Sequence, residues 1–379
     1  MNIFNYFSKK GIDTVDASFY RKIDEWISWY NSNVKQFTFY KVYSGRGTCK
    51  RCRRKSMGMA KKLSEDIADL LLNERVMITL EDENTQKFVQ KVLDDNHFSV
   101  IGNDYQERKA YTGTVAYIPY IYNAIVLDDG TISNGKIGIN YVDAQNIYPV
   151  SWNNGMVTEC IFTFVHTVRK KKYVQIQFHR IDNDGLYVIE NSVLECSKGS
   201  VEGRELTENE WHQLRPFANL AARTETGSTD PQFVIDRLNI TNNAGECNPM
   251  GISIFANAID VLKKIDLEYD SYANEFDLGR KRIFVAPEML SNIDGTPAFD
   301  PEDSVFYSLP EDYDKGQTGL IEEVDMSLRV EEHSKAINDD LNYLSLKCGF
   351  GTERYRFDGA GAKTATEIIS ENSDMVFIM

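Results

Sequence analysis

An α+β fold is expected from three features of the sequence. A helical pattern runs from Gly251 to Leu278, far longer than an ordinary globular helix. A second stripe with the same spacing occupies residues 328–347. Between Gly113 and about Glu195 the chain turns instead to β-branched and aromatic runs. Turn signals at Asp128-Asp129-Gly130, Asn134-Gly135 and Asn183-Asp184-Gly185 break these runs into an antiparallel sheet built from hairpins.

The first long helix places apolar residues at Phe255, Ile259, Leu262, Ile265, Tyr269, Tyr272 and Phe276. Steps of three and four keep them on one face. At about 1.5 Å per residue the helix would be roughly 40 Å long, and Gly279 supplies its stop signal. The opposite face carries Asp260, Lys263, Asp266, Asp270, Asn274 and Asp277 and reads as an acidic back. A narrow stripe of this length calls for a long partner. The segment 328–347 offers one, with Val330, Ile337, Leu341 and Leu344. The intervening residues 280–327 read as a small acidic subdomain with three short strands. Its polar loops, 291–303 and 311–319, are the natural contact surfaces.

The 379 residues suffice for two or three domains. A hydrophobic fraction of 42% and an aromatic fraction of 12% mark a folded protein. No apolar run is long enough to span a membrane, and the first residues lack a signal-peptide pattern, so a cytoplasmic site of synthesis is expected. The net charge is −15, and residues from 251 onward hold 12 basic and 26 acidic residues, a net of −14. A surface that grips nucleic acid would be basic, so contact between this half and DNA would be by sliding or repulsion. The plain alternative is a soluble acidic surface.

In chain order, residues 15–31 read as an amphipathic helix capped by Asp16 or Ser18, with Trp26, Trp29 and Tyr30 as core anchors. Seven Lys or Arg lie between Lys50 and Lys62. They read as the solvated start of a helix that turns Met59, Leu63, Ile67, Leu70 and Leu71 inward, with contact to nucleic acid or an acidic neighbour as the alternative. Cys49 and Cys52 form a lone CxxC, and Cys160, Cys196, Cys247 and Cys348 stand apart. A zinc site needs four converging ligands, so no metal is expected. Residues 83–96 read as a surface helix. Residues 130–136, GTISNGK, nearly spell a phosphate loop, but Ile137 stands where Ser or Thr would bind magnesium, and both flanks read as strands. Val174, Ile176 and Phe178 alternate with Gln175, Gln177 and His179, which puts the latter three on a wet face. Residues 199–231 read as a connector, PQFVIDRLNI as a strand, and Asn242 to Pro249 as the loop that closes a first domain. After the second long helix, Gly349, Gly351, Gly359 and Gly361 make a mobile loop bearing Arg354, Arg356 and Lys363. A further helix begins at Thr364.

The stretches GISIFANAIDVLKKIDLEYDSYANEFDLGRKRIFV and KTATEIISENSD, with MGMAKKLSEDIADLLLNE and DAQNIYPVSWNNG, resemble the portal, or head-to-tail connector, proteins of tailed bacteriophages, of the siphophage type of Gram-positive hosts and their prophages. The likeness covers most of residues 20–375. It implies a structural protein with no catalytic residues and no cofactor, in a ring that is usually a dodecamer around a channel for double-stranded DNA. Residues 1–250 would be an antiparallel-sheet wing, 251–279 and 328–347 the two stem helices, and 280–327 a small α/β clip. Residues 348–363 would be the tunnel loop, with Gly351, Arg354, Arg356, Gly359, Gly361 and Lys363 at the channel, and 364–379 the start of a wing helix. Asp294, Phe299, Asp300, Asp312 and Asp314 of the clip would meet partners. Those partners would be the terminase during packaging and head-completion or adaptor proteins afterwards, with capsid or scaffolding proteins around the ring. The site would be the portal vertex of the virion, reached by assembly in the host cytoplasm. In relatives the final helix is long and leads to a crown, so a C-terminally truncated prophage product is expected, and a non-assembling remnant is one alternative. The others are a nucleic-acid-binding protein using residues 50–62 and a carboxylate-metal hydrolase, the latter motivated only by the many Asp and Glu.

Overall fold

The computed structural model describes residues 3–43, 49–72, 76–126, 132–196, 203–245, 247–278, 282–285, 306–308, 321–324, 327–352 and 354–357. The chain opens with helices α1 (Ile3–Lys9) and α2 (Ala17–Tyr30). Phe19, Tyr20, Ile23 and Trp26 recur at helical spacing on α2 and are buried, while the Asp16 carboxylate accepts the Ser18 N–H at 2.7 Å and caps the helix. Trp29 is buried as well, and Tyr30 stacks on Tyr111.

The basic segment does not begin a helix. Strand β1 (Phe39–Tyr43) pairs antiparallel with β2 (Cys49–Arg53), and helix α3 (Met59–Leu71) starts only after Gly58. Arg51 lies over the Phe39 ring at 4.0 Å, so part of the charge is carried on an aromatic ribbon. Helices α4 (Glu83–Asp95) and α5 (Phe98–Thr112) follow. The first has no fully buried residue, as a surface helix should. The second is central, although its sequence shows no apolar stripe.

Gly113 ends α5 at φ +85° and leads into β3 (Thr114–Tyr122). After the short pair β4 (Ile125–Val126) and β5 (Ile132–Ser133) comes β6 (Lys136–Asp143). Lys136 therefore opens a strand and no helix follows Gly135, as the hairpin reading of GTISNGK requires. A meander of β7 (Ile147–Asn153), β8 (Met156–Val168), β9 (Lys171–Ile181) and β10 (Tyr187–Cys196) forms the largest sheet. Strands β11 (Arg204–Glu205) and β12 (Arg223–Glu225) both pair with β10. Helix α6 (Glu208–His212) lies between them in sequence, and Trp211 and Phe217 pack there on Tyr173 and Val193 in a small second core. Strand β13 (Val234–Arg237) joins β3, giving the order β13-β3-β6. Helix α7 (Ile259–Leu278) and helix α8 (Val330–Lys347) flank β14 (Arg282–Val285), β15 (Phe306–Ser308) and β16 (Ile321–Val324). Strand β14 pairs parallel with β15 and antiparallel with β16, and no helix occurs among the described residues of this interval.

His179 is not on a wet face. It is 1% exposed, edge-on to Phe162 at 5.3 Å and to Phe233 at 5.4 Å, because the segment before β13 covers this end of the sheet. Neither ring nitrogen has a hydrogen-bond partner. Burial lowers its pKa from 6.5 to about 4. The unfolded chain therefore binds the extra proton between those values, and stability falls as pH drops through that window. The loss across it is on the order of 3 kcal/mol. In chemical denaturation from pH 7 to 4, His179→Phe should flatten this slope. An unchanged slope would contradict the buried neutral imidazole.

Candidate functional site

The two long helices are the outstanding feature, and most of the residues that the sequence spacing picks out build their seam, whereas Val330 is 42% exposed and lies off it. Phe255, Leu262, Ile265, Ile337, Leu341 and Leu344 are all at most 3% exposed and lie in the main core. Ile259, Tyr269 and Tyr272 are half-buried. Phe276 is a correction. It is 48% exposed and touches only the edge of Tyr272 among the ring contacts described. The seam thus weakens away from the core. Ion pairs reinforce it at intervals, with Lys347 on Asp260 at 2.9 Å, Lys264 on Asp340 at 2.7 Å and Arg329 on Glu275 at 2.8 Å. Desolvation, followed by the adjacent Asp340 carboxylate, raises the Glu268 pKa.

The first helix also starts later than Gly251. A 3-10 turn spans Ala256–Ala258 and the α-helix begins at Ile259. Gly251 crosses Gly113 so closely that a Cβ on Gly251 would stand 2.2 Å from the Gly113 oxygen. The Gly251 N–H is donated to Thr114 Oγ1 at 2.8 Å, and the Ile254 N–H to the Ala110 oxygen at 2.9 Å. These bonds to the end of α5 and the start of β3 hold residues 251–254 out of helix. They also bury Ile252 and Ile254, whose spacing suits a buried extended run as well as a helix.

The acidic back requires the larger correction. Asp266 and Asp270 are 8% and 4% exposed. Asp266 Oδ1 accepts the Met57 N–H at 2.9 Å and the Ser56 hydroxyl at 3.0 Å. Asp270 Oδ1 accepts the Lys55 N–H at 2.9 Å, and its Oδ2 lies 3.6 Å from Arg54. Asn274 reaches the Tyr40 hydroxyl. This edge of α7 therefore seats the link between β2 and α3. The same bonds consume part of the basic cluster. Arg54 faces Asp270, Lys61 pairs with Glu107 and Glu65, and Lys62 lies 2.8 Å from Asp66. Lys50, Arg51, Arg53 and Lys55 remain exposed.

Helix α8 ends in a Schellman turn. Gly349 takes φ +76°, its N–H bonds to the Leu346 oxygen, and the Phe350 N–H bonds to the Ser345 oxygen. The chain beyond it is not a free glycine loop over its first stretch. The buried Tyr355 donates its hydroxyl to Asp66 Oδ2 at 2.6 Å, and burial followed by that carboxylate holds the phenol far above its usual range. The Phe357 N–H bonds to Asn338 Oδ1 at 2.7 Å, and its ring stands edge-on to Tyr269 and Tyr272. Of the expected loop residues, Gly351 is half-buried, Arg354 lies 3.9 Å from Asp66 and Arg356 is exposed. Gly359, Gly361 and Lys363 lie outside the described residues, as do Asp294, Phe299, Asp300, Asp312 and Asp314 of the intervening subdomain and the helix expected from Thr364. No spacing or motif marks Asp66, Asp266, Asp270 or Tyr355 as buried tie points. Among the described residues no cluster of three His, Cys, Asp or Glu has metal-binding geometry.

A mixed α+β body with antiparallel sheets and paired long helices is compatible with a head-to-tail connector subunit. The family model described as phage portal protein, SPP1 Gp6-like, matches residues 10–376, and the chain belongs to that family of siphophage-type portal proteins. The family is structural and serves DNA packaging at the head-tail junction. A comparison with curated proteins gives no match.

The anchor on α7 has a direct test. Asp266→Leu strands two donors and should cost about 1–3 kcal/mol in chemical denaturation. Asp266→Asn keeps an accepting oxygen and should cost clearly less. Desolvation raises the Asp266 pKa against the lowering effect of its hydrogen bonds, so its favourable linkage term is present at low pH and lost as pH rises through the folded value. The Asn variant should lack that dependence. Equal losses in the two variants would contradict the acceptor role.

Proposed function

We propose that this chain is the subunit of a ring through which double-stranded DNA is packaged into a phage capsid and later ejected. The match along almost the whole chain carries the reading. In it, residues 1–250 form the wing, α7 and α8 the stem, and residues 280–327 the clip that docks the terminase and then adaptor proteins. Asp294, Phe299, Asp300, Asp312 and Asp314 belong to that docking face. Residues 348–363 form the tunnel loop, with Arg354, Arg356 and Lys363 toward the DNA. The ring is a homo-oligomer of about twelve copies at the portal vertex of the virion, surrounded by capsid or scaffolding proteins and assembled in the host cytoplasm.

The physical support is the charge, the tied segment after α8 and an exposed apolar side chain. The half of the chain assigned to the channel holds nearly all of the net negative charge, and like charge keeps DNA from sticking while it slides. The strap from Phe350 to Phe357, tied to α3 and to both long helices, gives the tunnel loop a fixed base. Phe276, exposed at the far end of α7, is the sort of apolar side chain that a neighbouring subunit would cover.

Light scattering on a sizing column, with negative-stain images of the peak, tests the reading. Closed rings of about twelve subunits are expected. A strictly monomeric, folded protein across the accessible concentration range would overturn it.

A further inference from the structure

The helix α7 has two differently charged flanks. The β1–β2 hairpin and its exit sit on the edge marked by Asp266 and Asp270. Helix α8 sits on the edge marked by Lys264 and Glu275. With 3.6 residues per turn these edges are roughly 150° apart around α7. On the first flank, Lys50, Arg51, Arg53 and Lys55 are exposed, as is Lys41, the cross-strand partner of Arg51. Beside them a cleft of about 460 Å³ is lined by Ser32, Arg53, Arg54, Lys55, Ser56 and Tyr269. On the second flank, Glu331, Glu332 and Asp339 are exposed on α8, with the single base Lys335 between them. Leu328, Val330, Tyr343 and Leu346 are exposed along the same helix and its lead-in.

We propose that the basic hairpin of one copy docks on the acidic outer face of α8 in the next copy, and that this head-to-tail contact sets the direction of assembly. The proposal rests on the ring reading above and adds the surface that closes it. A ring requires a heterologous contact between two different, complementary surfaces. A basic ribbon and an acidic helix on opposite flanks of one stem meet that requirement, whereas two like flanks would repel. The two surfaces are opposite in sign, with four exposed bases at residues 50–55 on one and three exposed acids against the single Lys335 on the other. The ribbon is a rigid donor, because Asp266 and Asp270 fix its exit and Phe39 lies beneath Arg51. The exposed Tyr343 and Leu346 give the contact apolar area as well as charge.

Two triple variants test it, one carrying Arg51→Glu, Arg53→Glu and Lys55→Glu and the other Glu331→Lys, Glu332→Lys and Asp339→Lys. All six side chains are exposed, and assembly is followed by light scattering against concentration and salt. Each variant alone should need about tenfold or more higher concentration to assemble. An equimolar mixture should return close to the wild-type midpoint, because the reversed hairpin of one fits the reversed helix of the other. That rescue excludes misfolding as the cause. Wild-type rings should also weaken between low and high salt. Wild-type midpoints in both variants, or no rescue on mixing, would overturn the proposal while leaving the ring intact. Normal assembly with lost binding of a short double-stranded DNA by the hairpin variant would overturn it in favour of a nucleic-acid contact. A wild-type chain that never assembles would remove both this contact and the ring.

Discussion

Two buried carboxylates on α7 hold the architecture together. Asp266 and Asp270 satisfy the backbone of residues 55–57, where the chain leaves a strand, passes Gly58 and enters α3. Backbone donors at such a junction have no partner in either element, and burying them unpaired is costly. The acids of the long helix meet that need. In doing so they join the hairpin, α3 and α7 at one place. From α3 the linkage continues through Asp66 to Tyr355, and from Phe357 it returns to Tyr269 and Tyr272 on α7. The circuit runs from α7 to α3 and back through the segment that follows α8.

This circuit changes the meaning of the charge. On α7 and α8 some of the negative charge is exposed, at Glu331, Glu332 and Asp339, and some of it is structural. Asp260, Asp340 and Glu275 tie α7 to α8, and Asp266 and Asp270 tie α7 to the hairpin. Lys and Arg of the segment 50–62 are likewise divided between internal pairs and free surface. Net charge alone does not separate these uses. The geometry does, and it leaves a basic flank and an acidic flank on either side of α7.

The sequence spacing located the seam of the long helices, because apolar side chains at steps of three and four have few other ways to be buried. It located the meander for the corresponding reason at a period of two. Helix α5 escaped it. That helix buries Gly102, Gln106, Lys109, Ala110 and Thr112, and two of its polar side chains donate to distant partners, Lys109 to Asp236 and the Gln106 amide nitrogen to Asp236 and Tyr117. No periodic apolar signal exists when a helix is held by hydrogen bonds. The hairpin at residues 39–53 escaped for the opposite reason. Its strands are largely exposed, so neither face had to be apolar. The late start of α7 depends on the crossing of Gly251 over Gly113, a contact between residues far apart in sequence. His179 was misplaced because alternation reports one covered face, and Phe233 covers the second.

Helix α7, helix α3 and the β1–β2 hairpin are locked into one body by Asp266 and Asp270. Hydrogen exchange of the intact protein, followed by mass spectrometry, measures this most directly. Amides of residues 55–59 and 259–270 should exchange slowly and with a common rate, through a shared opening, while the far end of α7 around Phe276 exchanges faster. Rapid exchange at residues 55–59 beside a protected 259–270 would show that the helix stands without the anchor, and would contradict the claim.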